Sequence, residues 1–201
     1  MHNTPFTVDG APLKQLLLGG QKSGKSRQAE LLARQWLQQD ASHTASLIAT
    51  GTAYDAEMQA RIARHQQDRA ERVPQLATVE AARDVAQAIT ARSSAQHLLV
   101  VDCLTLWLTN WLMPAPEFEE KTPLAADWRA QIALFLEALQ QAPGPVILVS
   151  NEIGLGVIPM GREVRAFVDA LGLLNQQVAQ ACERVTLMAA GLPLTLKEPL
   201  R

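Results

Sequence analysis

The stretch "LLLGGQKSGKS" (residues 16–26) sets Gly19, Gly24, Lys25 and Ser26 at the spacing G-x-x-x-x-G-K-[ST], after an apolar run and before a periodic one. Glycines there let backbone N–H groups converge on phosphate oxygens, and the N-terminus of the following helix adds partial positive charge. Gly20, Gln21, Lys22 and Ser23 complete the cradle. Lys25 is expected to reach the β- and γ-phosphates of a nucleotide, and the Ser26 hydroxyl to ligate Mg²⁺. Asp102 closes "HLLVVD" (97–102), where a carboxylate could hold the same metal directly or through water, and could also cap a helix opening at Leu104. Asn151 and Glu152 end "VILVSNE" (146–152); they either line the site or close a turn with Gly154 and Gly156.

A second candidate lies in "RIARHQQDR" (61–69). On a helix from Asp55 to Arg69, Met58, Ile62, His65 and Arg69 share one face, so His65 is expected beside the buried stripe and not in open water. Arg61 and Arg69 stand one turn to either side, and guanidiniums can hold phosphate oxygens. Histidine is a competent covalent catalyst when its attacking nitrogen is unprotonated. Spacing alone favours a hydrogen-bonded histidine at the core edge, and leaves the nucleophile open.

The elements that must position these groups alternate. Apolar runs at 15–18, 45–49, 97–101, 145–150 and 184–190 are continuous, as in strands buried on both faces of a parallel sheet. Helical periodicity is expected at Lys25–Gln38, Asp55–Arg69, Val79–Arg92, Leu124–Gln141 and Arg162–Ala181. Gly191 and Pro193 mark a turn, so residues 194–197 are expected to return antiparallel at the sheet edge. The reading is an α/β fold of P-loop NTPase type: residues 1–13 form an N-terminal extension, 14–201 a single domain, and "MPAPEFEEKTP" (113–123) an exposed loop.

The chain has 201 residues, 48% hydrophobic and 19% charged, with net charge −2. That balance gives no general pull toward nucleic acid or an anionic membrane. No apolar run approaches the roughly 20 residues that span a bilayer, and the start lacks a signal-peptide pattern, so the cytoplasm is the expected location. Cys103 and Cys182 are expected as two buried thiols. A P-loop by itself names no substrate: a small-molecule kinase and a nucleotide-switched binding protein both fit.

Taken together, "GGQKSGKS" (19–26), "LIATGTAYDAEMQARIARHQQDR" (47–69), "VVDCLTLWLTNWL" (100–112), "VILVSNEIGLGVIP" (146–159) and "LGLLNQQVAQACERVTLMAAGLPLTLK" (171–197) resemble the bifunctional adenosylcobinamide kinase/adenosylcobinamide-phosphate guanylyltransferase family of cobalamin biosynthesis. The resemblance covers nearly everything after the first dozen residues. It implies phosphorylation of adenosylcobinamide by ATP or GTP, then transfer of GMP from GTP to adenosylcobinamide phosphate. By matching position, His65 is the residue that carries GMP covalently. Gly19 to Ser26 hold the triphosphate, and Ala49, Thr50, Gly51, Gln66, Gln67, Asp68, Arg69, Glu80 and Asp102 belong to the GTP-binding set. Mg²⁺ at Ser26 and Asp102, and a homotrimer with its site near a subunit boundary, are further implications. Two features depart from the family pattern: a longer "DRAERVPQLATVE" (68–80), and Met160–Gly161 where a polar pair is expected after Pro159.

Overall fold

Continuous apolarity in "QLLL", "HLLVV" and "VILV" requires cover on both faces. The computed structural model, which describes residues 6–113, 128–157 and 160–199, provides it. A small hairpin, β1 (Thr7–Val8) and β2 (Ala11–Pro12), precedes β3 (Lys14–Gly19), α1 (Lys25–Gln39), β4 (Thr44–Ala49), α2 (Ala56–Arg72), β5 (Leu76–Glu80) and α3 (Val85–Arg92). There follow β6 (His97–Asp102), α4 (Leu104–Leu112), α5 (Trp128–Gln141), β7 (Val146–Val149), α6 (Arg162–Ala181), β8 (Arg184–Ala189) and β9 (Leu192–Lys197). The main sheet has the order β5-β4-β6-β7-β3-β8-β9. Every neighbouring pair in it is parallel except β8 with β9. The antiparallel edge strand is therefore present, and it starts at Leu192, two residues earlier than the sequence reading placed it.

Alternate residues of each central strand feed opposite faces. Leu16, Leu18, Leu99 and Val101 pack with Ile89, Trp107, Phe135, Leu139, Leu171 and Leu174 from α3 to α6. Leu17, Leu98 and Val100 pack on the other side with Ala29, Leu32, Ala33 and Trp36 of α1. Phe6 joins this second face, 1% exposed and edge-on to Trp36 at 5.3 Å. The described end of the N-terminal segment is thus packed onto α1. Cys103 and Cys182 are free and buried, as expected.

One expectation is corrected. The helix read from Val79 starts at Val85, and Val79 and Glu80 belong to the parallel strand β5. Only Leu76 of it is buried, because β5 is an edge strand, so it lacks the continuous apolar run used to find the others. Of the expected helix at 124–141, residues 128–141 are described and helical; the rest of it, and the loop read at 113–123 beyond Met113, lie outside the described residues.

Candidate active site

At the end of β3 the chain turns through Gly19 (φ 151°) and Gly24 (φ 102°), conformations that favour glycine. A Cβ on Gly19 would lie 2.4 Å from the Met188 carbonyl oxygen and 2.6 Å from Ser23 Oγ. Gly19→Ala is therefore expected to destabilise the fold by about 2–3 kcal/mol, read from a denaturant titration. Gly24 is the N-cap of α1 and offers no side-chain cap, so the first N–H groups of the helix face the cradle. The buried Lys25 ammonium donates to the carbonyl oxygens of Gly19 (2.9 Å) and Gly20 (2.7 Å). Burial pushes its pKa below the usual lysine value, opposed by the nearby Cys103 and Asp102.

The C-terminal edge of the parallel sheet supplies the next layer. Ala49 stands in register with Glu80 on one side and with Asp102 on the other, so both carboxylates end strands flanking β4. Thr50, fully buried, locks this edge: its hydroxyl donates to the Cys103 carbonyl (2.7 Å) and accepts from the Cys103 N–H (2.8 Å). Thr50→Val leaves both groups without that partner and is expected to destabilise by about 1–3 kcal/mol, measurable as a fall in Tm. At the end of β7, Asn151 is held by its N–H to Thr105 Oγ1 (2.9 Å) and by Asn175 Nδ2 donating to its carbonyl (3.0 Å).

Two cavities meet over this edge. The larger, roughly 500 Å³, runs along Gln21 to Arg27 and is closed by Arg61, Arg64, His65, Asp68, Asp102 and Asn151. The smaller, roughly 120 Å³, lies among Ala49, Gly51, Met58, Ile62, Gln66, Arg69, Glu80 and Leu106. Ser26, Arg61, His65, Asp102 and Cys103 border both. Of the side chains on that seam, Cys103 is not a ready nucleophile, because burial pushes its thiol up to about 12. His65 stands at the junction, and it is exposed. That corrects the expectation of a histidine at the core edge. Arg69 is the one buried residue of α2, with Met58 and Ile62 half-buried, so the helix leans over a hollow and not onto packed core.

The comparisons with known proteins now bear on this geometry. Residues 15–196 match the family described as CobU, cobinamide kinase / cobinamide phosphate guanyltransferase. The chain belongs to that family. It is 44% identical over 189 residues to the bifunctional adenosylcobalamin biosynthesis protein CobP of Pseudomonas aeruginosa, covering 94% of this chain and 100% of that one. Over 187 residues it is 34% identical to the bifunctional adenosylcobalamin biosynthesis protein CobU of Escherichia coli K12 and 35% to that of Salmonella typhimurium, each covering 90% of this chain and 98% of the relative. The flagellar accessory protein FlaH of Methanocaldococcus jannaschii shares the fold alone, with a TM-score of 0.51 at 12% identity over 93% of this chain and 79% of FlaH.

The CobU-family positions named from the sequence divide by placement. Gln21 to Ser26, His65, Asp68 and Asp102 line the larger cavity, and Ala49, Gly51, Gln66, Arg69 and Glu80 the smaller. Gly19 and Gly20 contribute the carbonyls that Lys25 holds. Thr50 works behind the site. Gln67 borders neither cavity, and its amide reaches Glu71 at 3.4 Å. The two arginines part company: Arg61 points toward the P-loop, its guanidinium 2.9 Å from the Gln21 side-chain amide, which accepts from it when turned oxygen-first, whereas Arg69 donates to Thr78 Oγ1 at 3.0 Å. Asn151 lines the site, while Glu152 accepts from the Gly154 N–H (3.0 Å) and closes the turn. Arg64 and Arg72 escaped the sequence reading, although the steps from Arg64 to Asp68 to Arg72 are helical ones. Arg72 pairs with Asp68 (3.1 Å) and with the buried Glu30 of α1 (3.0 Å).

Proposed function

We propose that this CobU-family chain phosphorylates adenosylcobinamide with ATP or GTP, and then moves GMP from GTP onto the new phosphate, with His65 as the GMP carrier. The observation that carries this reading is the position of His65 on the seam between the P-loop cavity and the cavity at Glu80. A nucleoside in the smaller cavity with its β- and γ-phosphates on the P-loop has its α-phosphorus beside that seam. In the kinase step the substrate hydroxyl attacks the γ-phosphorus, the nucleoside diphosphate leaves with the electron pair of the bridging P–O bond, and the hydroxyl proton passes to water. In the transfer step a His65 nitrogen attacks the α-phosphorus and pyrophosphate leaves with the electron pair, held by Lys25 and the loop N–H groups. A phosphate oxygen of adenosylcobinamide phosphate then attacks the same phosphorus, and the N–P bond breaks to free His65.

Among the described residues no cluster of three or more His, Cys, Asp or Glu could hold a metal alone. Ser26 and Asp102 on the shared seam fit Mg²⁺, which takes few protein ligands and completes its shell with water and substrate phosphates. When bound there it neutralises developing phosphate charge.

Helix α2 is expected to shift between the two steps. Arg72–Glu30, Arg69–Thr78 and the buried Val73 fix its C-terminal end, while the part carrying Met58 and Ile62 is lightly packed. An identical α2 position in nucleotide-free and GTP-bound structures would contradict this. A homotrimer belongs to the same reading, supported by exposed Leu192, Leu194 and Leu196 on β9 and by Leu155 and Val157 after β7. So does a cytoplasmic location: among the described residues no helix is long and apolar enough to cross a membrane.

The reading is tested by supplying adenosylcobinamide, ATP and GTP and following products. Adenosylcobinamide phosphate is expected first, then adenosylcobinamide-GDP with pyrophosphate. Accumulation of the monophosphate without pyrophosphate would leave a single-function kinase.

A further inference from the structure

The P-loop has a second flank. Over α1 lies a further cavity of roughly 720 Å³ that shares Lys22, Gly24, Arg27, Glu30 and Arg72 with the 500 Å³ cavity. Its own walls are Gln28, Leu31 and Arg34 of α1, Val73 after α2, and Met188, Ala190 and Gly191 at the β8–β9 turn. That turn is fastened to the loop, since the Gly191 N–H donates to the Ser23 carbonyl at 3.0 Å. The proposed two-step chemistry makes a demand that one nucleoside cavity does not meet. With the base near Glu80, the α-phosphorus faces His65 and the γ-phosphate points away along the loop. The kinase step needs the γ-phosphorus where the α-phosphorus stood, because both steps act on the same arm of the acceptor: first its hydroxyl, then the phosphate placed on it.

We propose that the cavity between α1 and the β8–β9 turn is a second nucleoside subsite, which takes the base and ribose of the kinase donor. A triphosphate entering from this flank lies on the P-loop in the reverse sense and presents its γ-phosphorus toward Ser26, Asp102 and His65. Leu31, Met188 and Ala190 give the base an apolar wall, and Arg27 and Arg34 face the ribose and phosphates. Guanine offers N–H donors that a carboxylate can accept, but here the carboxylate of Glu30 is paired with Arg72 at 3.0 Å. The subsite therefore accepts adenine and guanine alike, whereas the cavity at Glu80 has a carboxylate at its strand end to select guanine.

This inference rests on the two-step reading for its role, and its test is a binding measurement on the full chain that does not need turnover. The non-hydrolysable ATP analogue adenylyl imidodiphosphate and GMP are titrated calorimetrically, each alone, into the natural chain and into Leu31→Asp/Arg34→Glu. Both positions are exposed on α1, and Arg34→Glu alone is the milder variant. The double variant is expected to weaken the analogue about tenfold, or about 1.4 kcal/mol, with GMP affinity within about twofold. Variants that weaken both nucleotides or neither would overturn the second subsite. Loss of product formation with these binding results intact would instead count against the proposed two-step chemistry.

Discussion

Replacing His65 by alanine is expected to lower GMP transfer by on the order of a thousandfold or more, while phosphorylation of adenosylcobinamide stays within about threefold. No neighbour takes over the covalent step. Cys103 shares the seam, but its thiol, pushed up to about 12 by burial and by the adjacent Asp102, stays protonated. Lys25 keeps its ammonium on the Gly19 and Gly20 carbonyls. The side chain of His65 is exposed, so its truncation changes stability by no more than about 0.5 kcal/mol, and a lost rate is a chemical loss. Parallel assays of monophosphate and pyrophosphate release on one preparation check this. Equal loss of both activities would make His65 a structural or general substrate-binding residue.

Lys25→Ala should act on both reactions. The ammonium is the charge that the cradle presents to transferring phosphate in the kinase step and to leaving pyrophosphate in the transfer step. Its removal is expected to lower both rates by about 10²–10³-fold. Lys25→Arg is not expected to rescue, because the ammonium fits as a point donor between two carbonyls 2.9 and 2.7 Å away, and a planar guanidinium presents a different fork. The sign of the pH dependence follows from burial. The folded-state pKa of Lys25 lies below the ordinary lysine value, so its charge is lost at lower pH than an exposed lysine would lose it. Both activities should therefore fall on the alkaline side earlier than a normal lysine predicts, in initial rates followed across alkaline pH.

How much of this was legible in the residues depends on how local each signal is. The P-loop and the strands β3, β6 and β7 announce themselves through a fixed spacing and through apolar runs buried on both faces. Strand β5 did not, because an edge strand with one solvated face needs no such run. Glu80 was consequently read at a helix start, when it ends a strand in register with Ala49. His65 was placed on the right helix and the wrong surroundings. Helical periodicity tells which residues share a face, but not whether that face meets side chains or a cavity. The separation of Arg61 from Arg69, and of Asn151 from Glu152, depends on hydrogen bonds to Gln21, Thr78, Thr105 and Gly154, and adjacency in sequence carries no trace of them.

The central claim is that His65 carries GMP. Its most direct measurement is protein-bound label after incubation with GTP labelled on the α-phosphate, compared with GTP labelled on the γ-phosphate. An acid-labile, base-stable adduct is predicted from the α label alone, mapping to His65 in the peptide that spans 61–69 and absent from His65→Ala. No adduct under conditions where GTP binds, label retained from the γ position, or an adduct on another residue would contradict the account.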